Sequence, residues 1–271
     1  YYLDRLAKFL LWARGGYRLQ LCGDTGLGNT LAKAYTPKGD RAFDADFMAR
    51  EFEQPLEVMV TPYDEKPQPN EQSAPVGRHM QGCRIGFDAG GSDRKVSAVV
   101  DGVPVYSEEV VWFPKENSDP QYHYEGIVTA LKTAASKMPR VDAIGVSSAG
   151  VLSNNRCMSA SLFLKLSEKD FKQYAQNIYL RAAKEIGDVP VAVANDGDVT
   201  ALAGAMSLDD VGVLGIAMGT SEAVGYVDMQ GNITGWLNEL AFAPVDGNPN
   251  AMRDEWSGDI GCGVKYFSQD A

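Results

Sequence analysis

Arg84-Ile85-Gly86-Phe87-Asp88-Ala89-Gly90-Gly91-Ser92-Asp93-Arg94-Lys95 decides how the rest of the chain is read. A short apolar strand runs into an aspartate, a glycine pair and a hydroxyl residue. A second apolar strand, Val96 to Val100, follows at once. Glycine has no Cβ, so the backbone turns tightly and aims its N–H groups at an anion without obstruction. Asp88, at the strand end, is placed to hold a divalent cation such as Mg2+, directly or through water. Gly90, Gly91 and Ser92 would then cradle a phosphate. An ordinary hairpin turn uses the same glycines, so the reading needs support from elsewhere.

Two later segments supply it. Val191-Ala192-Val193-Ala194-Asn195-Asp196-Gly197-Asp198 reads as a buried strand running into a helix. Ligands of open α/β sheets bind at strand carboxyl ends. A carboxylate there, Asp196, can take a proton from an accepting hydroxyl, and Asn195 can hold a neighbouring one. The plainer alternative is that Asp196 or Asp198 only caps the helix. Met218-Gly219-Thr220-Ser221 lies between two apolar strands and offers a second anion turn, or again a plain hairpin. A metal carboxylate, a base and two anion cradles form the minimal kit for moving a phosphoryl group.

A net charge of −11 argues against nucleic-acid binding, which needs clustered Lys and Arg. A length of 271 residues with 45% hydrophobic content suits one or two domains with a real core. No apolar run reaches bilayer length. Cys22, Cys83, Cys157 and Cys262 are scattered, as reduced thiols of a cytoplasmic protein would be. His79 and His123 stand in no ligand spacing, so zinc is not expected. The chain begins at Tyr1 rather than Met, which reads as a trimmed start.

Residues 1–61 read as a small α/β module of unassigned role. Leu3, Leu6, Leu10 and Leu11 recur at helical spacing, and a strand at 17–22 meets the Gly-rich turn Gly23-Asp24-Thr25-Gly26-Leu27-Gly28. That turn lacks the Walker lysine and reads as an ordinary strand-to-helix connection. Asp44 is expected to cap a third helix. Residues 62–82 are rich in Pro, Gln and Asn and read as a linker. From 83 onward the pattern is three hairpin strands, then alternating helices and strands. Helices are predicted at 121–138, 168–186 and from 198. Strands are predicted at 141–146, ending in Ser147-Ser148-Ala149-Gly150, and at 189–194, 211–218 and 222–229. This implies a mixed sheet covered by helices.

Residues 83–271 resemble the ROK family of sugar kinases and regulators, within the actin–hexokinase superfamily. Asp88-Ala89-Gly90-Gly91-Ser92 resembles its first phosphate motif, and Asn195-Asp196-Gly197-Asp198 its catalytic Asn-Asp segment. Gly219-Thr220-Ser221 resembles the second phosphate motif. Trp236-Leu237-Asn238-Glu239-Leu240-Ala241-Phe242 resembles its sugar-binding segment, and Gly261-Cys262-Gly263-Val264-Lys265-Tyr266-Phe267-Ser268 a later family stretch. The resemblance implies an actin-like, ribonuclease H-like mixed sheet flanked by helices. It implies ATP and Mg2+ as cofactors, Asp196 as base, and Asn195, Glu239 and Gly150 as sugar contacts. It also implies a homodimer by analogy.

The departures count too. Phe242 stands where the family histidine binds sugar and zinc, and Val264 where a second sugar-binding glutamate stands. The pocket is therefore expected to be less polar than one for a bare hexose, without zinc. Family members continue for roughly a hundred residues more, so either the chain is a fragment or it lacks the rest of the ATP cleft. The leading expectation is an ATP-dependent kinase of a sugar or sugar derivative. The alternative is a non-catalytic sugar-binding regulator. An ATPase activating a radical enzyme is disfavoured by the scattered cysteines.

Overall fold

The computed structural model describes residues 1–218 and 222–268. Contacts divide the chain into two units: Pro75–Asp209, and Tyr1–Ala74 together with Asp210–Ala271. The sequence drew its boundaries at 61 and 82. They fall at 74 and 209 because the N-terminal residues share a core and a sheet with C-terminal ones.

The first unit opens with α1 (Tyr2–Arg14), β1 (Arg18–Cys22), α2 (Thr25–Ala34), α3 (Ala42–Glu51), β2 (Glu57–Thr61) and β3 (Ser73–Ala74). β1 and β2 pair in parallel. Asp24 caps α2, its Oδ1 accepting from the Leu27 N–H at 2.8 Å, so the glycine-rich turn is the plain connection expected of it. Asp44 is not a cap. It lies inside α3, buried, and accepts from Trp12 Nε1 at 2.8 Å. α1 is helical as its leucines predict, yet Leu3, Leu6 and Leu10 are exposed while Arg5 and Lys8 are buried. The inversion follows from the carboxylates that meet the two cations, among them Asp259 at 2.9 Å from Lys8.

The second unit holds the predicted hairpins: β4 (Cys83–Ala89), β5 (Asp93–Val100) and β6 (Val103–Val111). Then come α4 (Pro120–Ala135), β7 (Ala143–Ser148), β8 (Val151–Ser153) and β9 (Arg156–Ser159). The helix expected over 168–186 is broken into α5 (Glu168–Asp170), a π turn at Phe171–Ala175, and α6 (Ile178–Lys184). β10 (Val191–Asn195) and α7 (Asp196–Leu208) complete it. The five-stranded sheet has the order β10-β7-β4-β5-β6. β4, β7 and β10 run parallel, and β5 and β6 antiparallel. Every second residue of β4 (Cys83, Ile85, Phe87, Ala89) enters the core, where Ile127 and Leu131 of α4 and Tyr179 of α6 meet it. That alternation fixes the register, since a one-residue slip would turn Asp88 into apolar packing.

The chain then returns to the first unit with β11 (Val213–Met218), β12 (Glu222–Val227) and β13 (Ile233–Thr234). β3, inside the expected linker, pairs with β13 and closes the sheet β11-β12-β13-β3. Phe242 packs on Trp12 with ring centroids 4.7 Å apart, beside Phe43 and Phe47. This position therefore serves the core of the first unit, and its aromatic side chain follows from that packing rather than from the polarity of a pocket. No helix among the described residues is long and apolar enough to cross a membrane.

Candidate active site

The parallel strands place the candidate residues of the second unit along one sheet edge. Asp88 of β4 lies opposite Ser147 of β7, which lies opposite Ala194 of β10. One residue further, Ala89, Ser148 and Asn195 form the next row. The chain leaves β10 there and enters α7 at Asp196. Two strand spacings separate the Asp88 and Asp196 backbones, roughly 10 Å. Both carboxylates thus stand at strand carboxyl ends, where α/β sheets bind ligands.

Asp196 is not needed as a helix cap. Asn195 holds that position, its Oδ1 accepting from the Gly197 N–H at 2.7 Å. The Asp196 Oδ1 also accepts from Gly197, at 3.1 Å. Burial pushes the Asp196 pKa above the ordinary carboxylate value; the Gly197 bond lowers it, and the negative charge of Asp88 raises it further. Asp88 itself is accessible, with Lys95 Nζ 4.0 Å from its Oδ2.

Asn195 does more than the sequence suggested. Its Nδ2 donates to the Gly150 carbonyl at 2.8 Å, so both ends of the amide already serve the fold. Gly150 has φ +102°, and a Cβ there would fall 2.0 Å from the Ser159 carbonyl oxygen. Its glycine identity is thus explained by the hairpin of β8 and β9. Gly150→Ala is expected to destabilise the protein by on the order of 3 kcal/mol, from positive φ and a backbone clash together. A denaturant midpoint within error of the wild type would contradict that.

Sequence reasoning missed two supporting groups. Ser148 Oγ lies 2.7 Å from Tyr179 OH, both buried. Burial raises the Tyr179 pKa strongly; Cys157 and the charges of Asp88 and Asp196 add to the rise, while the Ser148 bond opposes it. The phenol therefore stays neutral within reach of both carboxylates' fields. No motif marks Tyr179; only its place on the inner face of α6 could have suggested it.

The second missed group is Trp112. Its Nε1 donates to the Gly90 carbonyl at 2.9 Å, and its backbone N–H donates to the Ser92 carbonyl at 3.1 Å. These bonds pin the turn at Gly90, Gly91 and Ser92. Ser92 Oγ is turned toward Asp93 Oδ2, at 3.3 Å. A cavity of about 260 Å³ is lined by Trp112, Arg94, Tyr122 and Thr129 among others, and its lining includes neither Asp88 nor Asp196.

Glu239 belongs to the first unit, where its backbone N–H donates to the Trp12 carbonyl at 3.2 Å. The predicted anion turn at Gly219, Thr220 and Ser221 lies outside the described residues. Among the described residues no three His, Cys, Asp or Glu side chains gather as a metal site.

No protein-family model matches the chain, and no curated protein matches it in sequence. Solved structures do. A ROK family transcriptional regulator, homologous to the E. coli MLC protein, superposes with TM-score 0.54 at 17% identity. The match covers 70% of this chain and 47% of that one. The ROK hexokinase of Thermus thermophilus superposes with TM-score 0.51 at 19% identity, covering 68% of this chain and 58% of that one. The fold is that of the ROK proteins. The helix-flanked mixed sheet expected from the resemblance is the fold shared with these structures, and the chain spans about half the length of each.

Proposed function

We propose that this ROK-fold protein transfers a phosphoryl group from ATP to a hydroxyl of a sugar or sugar derivative, with Asp196 as general base. The observation that carries the reading is the pair of carboxylates at the carboxyl ends of β4 and β10, with Asp196 held at raised proton affinity by burial and by Asp88. A base of raised affinity accepts a hydroxyl proton more readily than an ordinary carboxylate does. Asp88 is exposed enough to reach a hydrated cation, and Lys95 is the one cation paired with it among the described residues, which fits Mg2+ held through water. Mg2+ would neutralise charge on the donor phosphates. The turn at Gly90, Gly91 and Ser92 would receive those phosphates, and Asn195 would orient the acceptor through the polar capacity its two structural bonds leave free.

The test is an ATP-consumption screen over hexoses, amino sugars and N-acylated sugars, run on the wild type and on Asp196→Ala. Turnover with one acceptor class in the wild type alone supports the base; equal turnover in both proteins rejects it.

A second reading is a sugar-binding regulator without catalysis. It is favoured by the engagement of the Asn195 amide in the fold, and by the likeness to a ROK regulator. Calorimetry separates the two, since a regulator would bind sugar without Mg·ATP.

A further inference from the structure

The turn after β4 is built with two of its carbonyls tied back and its donors left open. The Gly90 and Ser92 carbonyl oxygens both accept from Trp112. The backbone N–H groups of Gly90, Gly91 and Ser92 donate to no other protein group among the described residues. Successive unfilled N–H groups in a turn form an anion-binding concavity.

One side chain lies against this turn. A Cβ on Gly91 would meet Lys115 Cε at 2.5 Å and Nζ at 2.7 Å. The ammonium therefore rests in the space that any other residue at 91 would fill. Lys95, the other cation nearby, is engaged by Asp93 and faces Asp88. Lys115 makes no ion pair or hydrogen bond with a described residue.

Its placement is also fixed from below. Lys115 sits in a single 3-10 turn, Pro114–Glu116, just after Trp112. Buried His123 of α4 holds that turn, its Nε2 lying 3.0 Å from the Pro114 carbonyl oxygen. Trp112 grips the glycine turn while His123 grips the lysine turn, and the indole and imidazole meet edge to face at 6.4 Å. An exposed lysine ordinarily costs side-chain entropy when it is ordered. Here the segment that carries it is already positioned.

We infer that Lys115 is a donor-binding residue, whose ammonium joins the N–H groups of the glycine turn around a terminal phosphate of the polyphosphate donor. The inference rests on the phosphotransferase reading and adds to it a cation that no motif contained. Lys115 contributes here as a compact point charge with three donors, which suits phosphate without demanding one orientation.

Isothermal calorimetry with a non-hydrolysable ATP analogue and Mg2+ tests it, on the wild type, Lys115→Met and Lys115→Arg. Loss of one charge-assisted bond is expected to weaken analogue binding by about 10–100-fold in Lys115→Met. Lys115→Arg should recover most of the affinity. The affinity of Lys115→Met should also depend less on salt than that of the wild type, because one contact charge is gone. Lys115 is exposed, so thermal melting of both variants should match the wild type. Analogue binding by Lys115→Met within twofold of the wild type overturns the inference and leaves the phosphotransferase reading standing. No analogue binding by the wild type overturns both.

Discussion

Asp196→Asn is expected to lower phosphoryl-transfer turnover by about 10²–10⁴-fold, the usual share of a general base. Asparagine matches aspartate in size and keeps an Oδ1 for the Gly197 N–H, now 3.1 Å away. The cap of α7 belongs to Asn195, so the helix start does not depend on the exchange. Melting temperature should therefore hold while turnover falls. The pH profile gives an independent readout. The base works only when ionised, so wild-type activity is present above its pKa and lost as pH falls through it. Burial and the Asp88 charge place that pKa above the ordinary aspartate value of about 3.9. The acid limb should thus lie at higher pH than an ordinary aspartate would give, and the residual activity of Asp196→Asn should lack that limb. Turnover within twofold of the wild type, or an unchanged acid limb, would remove Asp196 from the chemistry.

The sheet carrying Asp88 and Asp196 was legible because its signals are local. Cys83, Ile85, Phe87 and Ala89 alternate inward, and Gly90-Gly91 marks the turn in the sequence itself. The strand–helix junction at Asn195 and Asp196 was legible for the same reason, although the cap fell to Asn195 rather than to an aspartate. The break within 168–186 was hidden. Phe171, Tyr174, Ile178 and Ala182 keep helical spacing across the π turn, and neither Gly nor Pro marks it. Trp112 and Lys115 were hidden because their partners are the carbonyls of Gly90 and Ser92 and a vacant Cβ position about twenty residues away, which no periodicity encodes. The first unit was least legible. The leucine spacing of α1 marked a helix but not its buried face, since a sequence pattern ranks Leu above Lys for burial. Here Lys8 is 1% exposed and Leu10 46%, because the deciding carboxylate, Asp259, lies some 250 residues downstream.

Asp259→Asn is expected to destabilise the protein by about 3–5 kcal/mol, the cost of breaking buried ion pairs from one side. Asp259 Oδ2 lies 3.2 Å from Arg5 Nη1, 2.9 Å from Lys8 Nζ and 2.6 Å from Arg41 Nη1. Three cations share it, and Asp4 and Asp44 complete a cluster of three positive and three negative groups. Removing one carboxylate leaves a net positive charge beside the buried Lys8, where water cannot screen it. The cluster joins α1 and α3 to residues 253–262, so its loss should loosen the N-terminal segment from the C-terminal one within the first unit. The pH dependence has a definite sign. Burial alone would raise the Asp259 pKa, but Lys8 and Arg41 lower it to about 2. A depressed pKa contributes stability above the unfolded value of about 3.9, and that contribution is lost as pH falls through the folded value. Asp44 shifts the other way, because its deeper burial outweighs Lys8 and the Trp12 bond. Comparing the wild type with Asp259→Asn isolates the first contribution from the second. The difference between their urea midpoints should be constant from pH 7 to about pH 4 and should close by about pH 2. A difference that stays level throughout that acid range, or one absent at pH 7, would show that the cluster does not hold the two segments together.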